Sequence, residues 1–222
     1  MPRVLSAGSL IRAVSFLPMN TLSPIRVGAV LFTGFEMLDF FGPLEMFGLL
    51  QGGAEITVVA EKAGAVKSSG GPCGMAEATL AGSGGFDVLL IPGGIGTRKE
   101  IANAAFLTEL KRLAEASRIV ATVCTGSLLL AGTGLLDGLK ATSNKRAFQE
   151  VKTYAPKVNW IAKARWVEDG KYFTSSGVSA GMDMALALIA KFCGRETSLQ
   201  IARRAEYEWH EDSSWDPFAV GV

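Results

Sequence analysis

The sequence has few of the residues from which metal sites and disulfide frameworks are built. It contains one histidine, His210, and three cysteines, and no two cysteines form a C-x-x-C pair. A zinc site of cysteine and histidine ligands is therefore not expected, and we predict no bound metal. The odd number of cysteines at irregular spacing, with no secretory signal, predicts free thiols in a reducing compartment such as the cytoplasm.

An excess of either charge is also lacking. The formal net charge of the 222 residues is +1, and acidic and basic residues are interspersed. This charge pattern predicts neither nucleic acid nor acidic lipid as a partner. The uncharged stretch IVATVCTGSLLLAGTGLL (119–136) is interrupted repeatedly by Thr and Gly. We therefore expect a strand and a short helix there rather than a membrane span, which needs about 20 mostly apolar residues.

Acidic residues are missing from the start of the chain, where the first is Glu36. Residues 1–24 contain two arginines and several serines, a composition that resembles a mitochondrial transit segment. A disordered extension, or translation that begins at Met19, is the alternative interpretation. Under either interpretation we expect one domain over residues 25–222.

Apolar, β-branched runs alternate with helical patterns along the rest of the chain, without a repeat or a linker. This alternation predicts a single α/β domain with a parallel sheet. Gly42-Pro43 is expected to open the first helix, because proline is favoured at a first helical position. A later helix is expected over residues 98–117. Strands are expected at 27–31, 56–62, 87–94, 119–124 and 139–144, with a hairpin over 158–176.

Two glycine motifs in the predicted turns suggest functions that their context does not favour. PGGIG (92–96) would need a third glycine where Lys99 stands to match the dinucleotide fingerprint, and no phosphate-binding loop motif occurs. GVSAG (177–181) matches the G-x-S-x-G motif of serine hydrolases, and His210 follows it. No strand is predicted after GVSAG to carry the acid and the histidine, so the alternative is close packing of a helix that begins there.

Cys124 is the clearest candidate for a nucleophile. It ends a predicted strand and stands directly before a helix, and Gly126 leaves room for a sharp turn between them. Ligands bind beyond the carboxyl ends of the strands in such sheets, and a helix N-terminus is expected to lower the pKa of a thiol placed there. A buried cysteine that only fills the core is an equally common outcome. Both interpretations remain open on the residues alone.

Asp39 is the candidate proton donor and acceptor for such a cysteine. It lies among bulky apolar residues after the first predicted strand, a setting that raises the pKa of a carboxyl group. Its alternative role is the N-cap of a helix beginning at Gly42-Pro43. In the turn after a later strand, the backbone N–H groups of Gly93 and Gly94 are candidates for part of an oxyanion hole.

Three motifs in this order and spacing, LDFFGP (38–43), LLIPGG (89–94) and VCTGSLLLAGTGLLDG (123–138), resemble the ThiJ/PfpI superfamily. The resemblance extends from about Arg26 to Lys191. It implies a flavodoxin-like parallel sheet between helices, a fold shared with class I glutamine amidotransferases. It further implies a nucleophile elbow at Cys124, no cofactor and a homodimer.

Within this superfamily, Asp39 followed by F-G-P and Thr125 after the cysteine are most similar to the isonitrile hydratase subgroup. The resemblance then implies Cys124 as nucleophile, Asp39 as acid and base, and Thr125 as a positioning residue, with a small molecule as substrate. Gly93 and Gly94 would face the same pocket. The chain departs from many relatives at Asn144, which stands where they carry histidine. This departure removes Cys-His chemistry unless His210 takes part, and makes Asn144 a candidate for substrate binding.

Two rival functions would use the same cysteine. One is a glyoxalase-type or carbonyl-repair enzyme, in which Cys124 attacks an α-oxoaldehyde. The other is a redox-responsive protein whose Cys124 is oxidised to sulfenic or sulfinic acid. No helix-turn-helix is predicted after the domain, so the regulators of transcription in this superfamily are a poorer match.

Overall fold

The computed structural model describes residues 23–221. Within them the chain forms eleven strands and seven helices. The strands are β1 Ile25–Val30, β2 Ala54–Ala60, β3 Gly64–Lys67, β4 Cys73–Ala76, β5 Ala78–Thr79, β6 Val88–Ile91, β7 Ile119–Val123, β8 Lys140–Ala141, β9 Asn159–Trp160, β10 Trp166–Asp169 and β11 Tyr172–Ser175. The helices are α1 Met37–Gly48, α2 Thr97–Glu100, α3 Ala104–Ala116, α4 Gly126–Gly132, α5 Phe148–Tyr154, α6 Ala180–Cys193 and α7 Arg195–Arg204.

Seven strands form the central sheet in the order β10-β11-β7-β6-β1-β2-β5. All neighbours pair in parallel except β10 and β11, which form the antiparallel hairpin at one edge. The prediction of a mostly parallel α/β sheet between helices is therefore confirmed. The sheet order brings the carboxyl ends of β1, β6 and β7 together, so the loops that follow these strands meet at one edge.

The core follows from the composition of the central strands. Every residue of β6, and nearly every residue of β1 and β7, is buried, as expected for strands covered by helices on both faces. Helix α6 packs against α1 and α7, and α4 packs against α2 and α3. Gly181 lets α6 approach the sheet closely, because a Cβ atom there would lie 2.9 Å from the Val123 side chain and 3.1 Å from Pro43. The packing interpretation of GVSAG is thus supported.

Two predicted helix boundaries are wrong. Helix α1 begins at Met37 rather than at Gly42-Pro43, and Pro43 lies inside it. The φ angle of proline suits a helix, but Pro43 has no N–H to donate to the carbonyl of Asp39 and its ring crowds that carbonyl, so the position is locally unfavourable. The predicted helix over 98–117 is two helices, because the side chain of Asn103 caps α3 by accepting a hydrogen bond from Phe106 N at 3.2 Å.

The predicted extension, residues 1–24, lies almost wholly outside the described residues, which begin two positions before β1. Among the helices of residues 23–221, none has the length and apolar character that crossing a membrane requires.

Candidate active site

Cys124 occupies a strained backbone position between β7 and α4. Its φ is +56°, in the left-handed region that residues other than glycine seldom adopt. Hydrogen bonds hold it there: its N–H is shared between the carbonyls of Ser175 and Ser176, both at 3.2 Å, and its carbonyl accepts from the hydroxyls of Ser127 at 2.9 Å and Ser143 at 3.0 Å. Strain that the surroundings enforce in this way is typical of functional sites.

The turn is sharp because Gly126 allows it. A Cβ atom at position 126 would lie 2.8 Å from the carbonyl oxygen of Pro92 in the neighbouring turn. Any side chain there would therefore push α4 away from the end of β6. The strand, Cys124 and the helix start consequently have the geometry of a nucleophile elbow.

Asp39 lies in the first turn of α1 and is completely buried. Its Oδ2 accepts a hydrogen bond from Gly93 N at 3.0 Å, whereas no donor in residues 23–221 meets Oδ1 in hydrogen-bond geometry. Burial raises the pKa of Asp39 from its ordinary 3.8 to about 7; the Gly93 N–H and the nearby Cys124 thiol act in the opposite direction, and the charge of Glu36 adds to the increase. Asp39 is therefore poised to exchange a proton near neutral pH through Oδ1.

The thiol of Cys124 does not have the lowered pKa that the helix start led us to expect. Burial raises its pKa, and the adjacent Asp39 carboxylate raises it further, while hydrogen bonds from Thr125 lower it by less. The raised pKa has two main causes, the removal of water from the sulfur and the neighbouring Asp39 carboxylate, and both disfavour the thiolate. A raised pKa favours the thiol form of Cys124, and the Asp39 carboxyl group lies beside it.

Thr125 is hydrogen-bonded to the turn that contains Gly93 and Gly94 after β6. The Thr125 hydroxyl oxygen accepts hydrogen bonds from Gly94 N at 3.1 Å and from the Thr97 hydroxyl at 3.2 Å. A Cβ atom at Gly93 would lie 2.6 Å from Thr125 N and 2.8 Å from Asp39 Oδ2. The N–H groups of Gly93 and Gly94 are thus bonded to the Asp39 and Thr125 side chains. In this state they position those side chains instead of standing free as an oxyanion hole.

A cavity of about 410 Å³ opens above Cys124, at the carboxyl ends of the strands. It is lined by Glu36, Gly94, Ile95, Arg98, Cys124, Thr125, Asn144, Arg146, Ala147, Glu150 and Val178. A second depression of similar size lies beside Ile119, at the opposite end of β7, and no cysteine, serine or histidine lines it. The cavity over Cys124 is therefore the site in which the predicted nucleophile can meet a substrate.

Asn144 lines this cavity, as predicted, and shapes the wall in which it lies. Its Oδ1 accepts hydrogen bonds from Arg146 N at 2.9 Å and Ala147 N at 3.3 Å, and its Nδ2 points toward Gly177. Arg146, two positions after Asn144, also lines the cavity and is not among the residues predicted from the sequence.

A buried ion pair fixes the same wall from behind. Lys145 Nζ lies 3.4 Å from Asp216 Oδ2, and it donates hydrogen bonds to Thr142 Oγ1 at 2.8 Å and to the carbonyl of Ala164 at 3.0 Å. Both charged side chains are almost inaccessible, at 6% and 0% exposed. Asp216 belongs to the segment after α7, so this segment anchors the residues that face the substrate.

His210 is not part of this site. Its ring is stacked on Trp215, with centroids 4.9 Å apart, and its backbone N–H donates to Asp183 Oδ1 at 3.0 Å. Ser179 of the GVSAG motif contacts Arg165, whose Nη2 lies 3.3 Å from the serine hydroxyl. Neither residue lines the cavity over Cys124. Within residues 23–221, no three His, Cys, Asp or Glu side chains are grouped as metal ligands would be.

Comparison with known proteins places this arrangement among relatives. A model of the DJ-1/PfpI family matches residues 25–191. The chain is 32% identical over 184 residues to isonitrile hydratase from Pseudomonas putida, covering 82% of this chain and 78% of that protein. It is 27% identical over 179 residues to protein dj-1beta from Drosophila melanogaster, covering 78% and 92% respectively. The crystal structure of a ThiJ/PfpI family protein from Pseudomonas syringae superposes with a TM-score of 0.79 at 27% identity, covering 95% of this chain and 87% of that chain.

Proposed function

The chain belongs to the DJ-1/PfpI family, and we propose that it is a cysteine-dependent hydratase that converts a small isonitrile and water into an N-substituted formamide. The family resemblance inferred from three sequence motifs is confirmed. The observation that carries the proposal is the buried pair of Cys124, on a strained elbow, and Asp39, whose pKa is raised to about 7. The similarity to isonitrile hydratase from Pseudomonas putida supports the choice of substrate class.

The first step adds the Cys124 thiol across the terminal carbon of the isonitrile. The thiol proton passes to Asp39 Oδ1, the sulfur attacks the carbon, and Asp39 returns the proton to the same carbon. The product is a thioimidate in which sulfur is bonded to a CH=N group, and Asp39 is again ionised. A carboxyl group with a pKa near the working pH suits both the acceptance and the return of this proton.

The second step releases the product by hydrolysis. Asp39 takes a proton from water while the water oxygen adds to the thioimidate carbon, and Asp39 then passes that proton to the imine nitrogen. The C–S bond then breaks, the remaining hydroxyl proton returns to the sulfur, and an N-substituted formamide leaves. Thr125, which follows Cys124 directly and accepts hydrogen bonds from Gly94 N and the Thr97 hydroxyl, ties the nucleophile to the glycine turn during both steps.

The test is turnover of an alkyl isonitrile, followed by NMR detection of the formamide. Cys124→Ser is expected to abolish turnover, and Asp39→Asn is expected to lower kcat about 10²- to 10⁴-fold, the usual contribution of a general acid–base group. Cys73→Ser is the matched control, because Cys73 is exposed. If wild type forms no formamide, or if Asp39→Asn retains full kcat, the proposed mechanism is wrong.

The same experiment separates the rival functions. Methylglyoxal is supplied in a parallel reaction, and formation of lactate that depends on Cys124 would favour a glyoxalase-type enzyme. A redox role is less well supported, because burial raises the pKa of the Cys124 thiol and thiolates, not thiols, react with peroxide. Selective modification of Cys124 by peroxide, in the absence of turnover on either substrate, would favour that role instead.

A further inference from the structure

One wall of the cavity over Cys124 carries hydrogen-bond donors that have no partner in residues 23–221. Asn144 uses its Oδ1 for two backbone N–H groups, but its Nδ2 donates to no acceptor there. Arg146, two residues later, is exposed, and its guanidinium forms no ion pair within the described residues. The wall therefore presents one amide donor and one free positive charge to the cavity.

Of the other charged residues that line the cavity, Arg98 and Glu150 pair with each other, whereas Glu36 has no cationic partner within the described residues. Arg98 forms two hydrogen bonds with Glu150, at 2.9 and 2.6 Å, so this pair contributes no net charge. Glu36 accepts a hydrogen bond from the Ser69 hydroxyl at 3.1 Å. Among the cations that line the cavity, Arg146 alone lacks an acidic partner within residues 23–221.

The sheet order separates this donor wall from the acids. Glu36 and Asp39 follow β1, which lies on one side of β7 and its Cys124. The segment with Asn144 and Arg146 follows β8, which packs against β10 on the other side of β7. A substrate that reacts at Cys124 can therefore extend from the side of Glu36 to the side of Arg146.

We propose that Arg146 and Asn144 bind an anionic group of the substrate, and that the substrate class is a small isonitrile bearing a carboxylate. A guanidinium pairs with both oxygens of a carboxylate, and the Asn144 amide adds a neutral donor. The cavity of about 410 Å³ limits this substrate to a compact molecule. The inference rests on the proposed function for the isonitrile group, whereas the anion subsite is independent of it.

The first test measures the anion subsite without turnover. Alkylation of Cys124 by iodoacetate, which is anionic, is compared with alkylation by the neutral iodoacetamide, using mass spectrometry to separate Cys124 from Cys73 and Cys193. For each protein, the rate with iodoacetate is divided by the rate with iodoacetamide. This ratio is then divided by the same ratio measured for N-acetylcysteine under the same conditions. We expect Arg146→Gln to lower this normalised ratio about threefold to tenfold, the size expected for a partly exposed charge contact. In wild type, we expect 0.5 M salt to weaken the preference for iodoacetate, because salt screens exposed charges.

Lys157→Gln is the matched control, because it also removes an exposed positive charge, at a side chain 77% exposed and absent from the cavity lining. It is expected to leave the ratio unchanged. A ratio that Arg146→Gln does not change, or that Lys157→Gln lowers equally, would overturn the proposed subsite.

The second test compares isocyanoacetate with its ethyl ester as substrates. We expect a higher kcat/KM for the carboxylate in wild type, and Arg146→Gln should lower kcat/KM more for the carboxylate than for the ester, so that the preference is lost. Equal kcat/KM for the two compounds in wild type would overturn the substrate class. If neither compound reacts but the alkylation ratio depends on Arg146, the anion subsite stands and the hydratase function fails.

Discussion

Replacement of Asp39 by asparagine is expected to stabilise the fold above neutral pH. The asparagine side chain keeps an oxygen that can accept a hydrogen bond from Gly93 N. It has no carboxyl group, so no buried negative charge forms above neutral pH. The pKa of Asp39 is raised from 3.8 to about 7. Because each tenfold change in proton affinity corresponds to about 1.4 kcal/mol, this difference amounts to ~4 kcal/mol of folding free energy.

The sign of the pH dependence follows from which state binds the proton more tightly. Between pH 4 and 7 the native protein holds a proton on Asp39 that the unfolded chain has released. Wild-type stability therefore falls as the pH rises through this window, relative to Asp39→Asn, and the difference becomes constant above the native pKa. We expect the two proteins to differ little near pH 4, and the variant to be more stable by up to ~4 kcal/mol at pH 8.

Urea unfolding of both proteins at pH steps from 4 to 8.5 measures this difference directly. Asp137→Asn, which removes an exposed carboxylate in a surface ion pair, controls for the general effect of charge. The same Asp39→Asn protein should have a kcat about 10²- to 10⁴-fold lower, so stability and activity change in opposite directions. A stability difference that does not vary with pH, or wild type being the more stable at pH 8, would refute the reasoning.

Three further substitutions test how the site is held. Gly93→Ala is expected to abolish activity and lower Tm, because its Cβ would lie 2.6 Å from Thr125 N; Gly48→Ala, with nothing within 4 Å, should leave both intact. Thr125→Val should cost about 1–3 kcal/mol of stability in urea unfolding and lower kcat, because it leaves the N–H of Gly94 without an acceptor. Thr125→Ser keeps the hydroxyl group and should behave like wild type. Asp216→Asn should cost about 3–5 kcal/mol in the same assay, because it leaves the buried Lys145 ammonium without a counter-charge. The double variant Lys145→Met with Asp216→Leu should recover most of that loss.

Each of these outcomes has a clear opposite. Full activity in Gly93→Ala would mean that the turn at Gly93 can shift without displacing Cys124 or Asp39. Equal stability and kcat for Thr125→Val and Thr125→Ser would mean that the hydroxyl group of Thr125 does not support the site. An Asp216→Asn protein as stable as wild type would show that the pair does not anchor the wall.

The order of secondary structure was open to prediction because it depends on local chemistry. Buried strands of parallel sheets are runs of apolar, β-branched residues, and β1, β6 and β7 have this composition. Cys124 was a candidate because it follows such a run directly and precedes a helix. Asp39 was a candidate because a carboxyl group among bulky apolar residues is expected to have a raised pKa. These inferences need only neighbours along the chain.

The start of α1 could not be predicted in the same way. Proline at an internal helical position is disfavoured locally, yet α1 continues through Gly42 and Pro43, where it packs against α6. A Cβ atom at position 42 would lie 2.9 Å from the Met182 side chain. Contact between two helices far apart in sequence thus overrides the local preference, and it places Asp39 in the first turn of α1 instead of at an N-cap.

The sequence by itself determined the fold class, the family and the catalytic candidates, since strand composition and three motifs carry that information. Only the tertiary structure decided the state of the site. It showed that burial raises the pKa of the Cys124 thiol, that Gly93 and Gly94 bond to the Asp39 and Thr125 side chains, and that Arg146 faces the same cavity. The physical reason is that desolvation and the pairing of charges depend on distances between residues that the sheet brings together from separate parts of the chain.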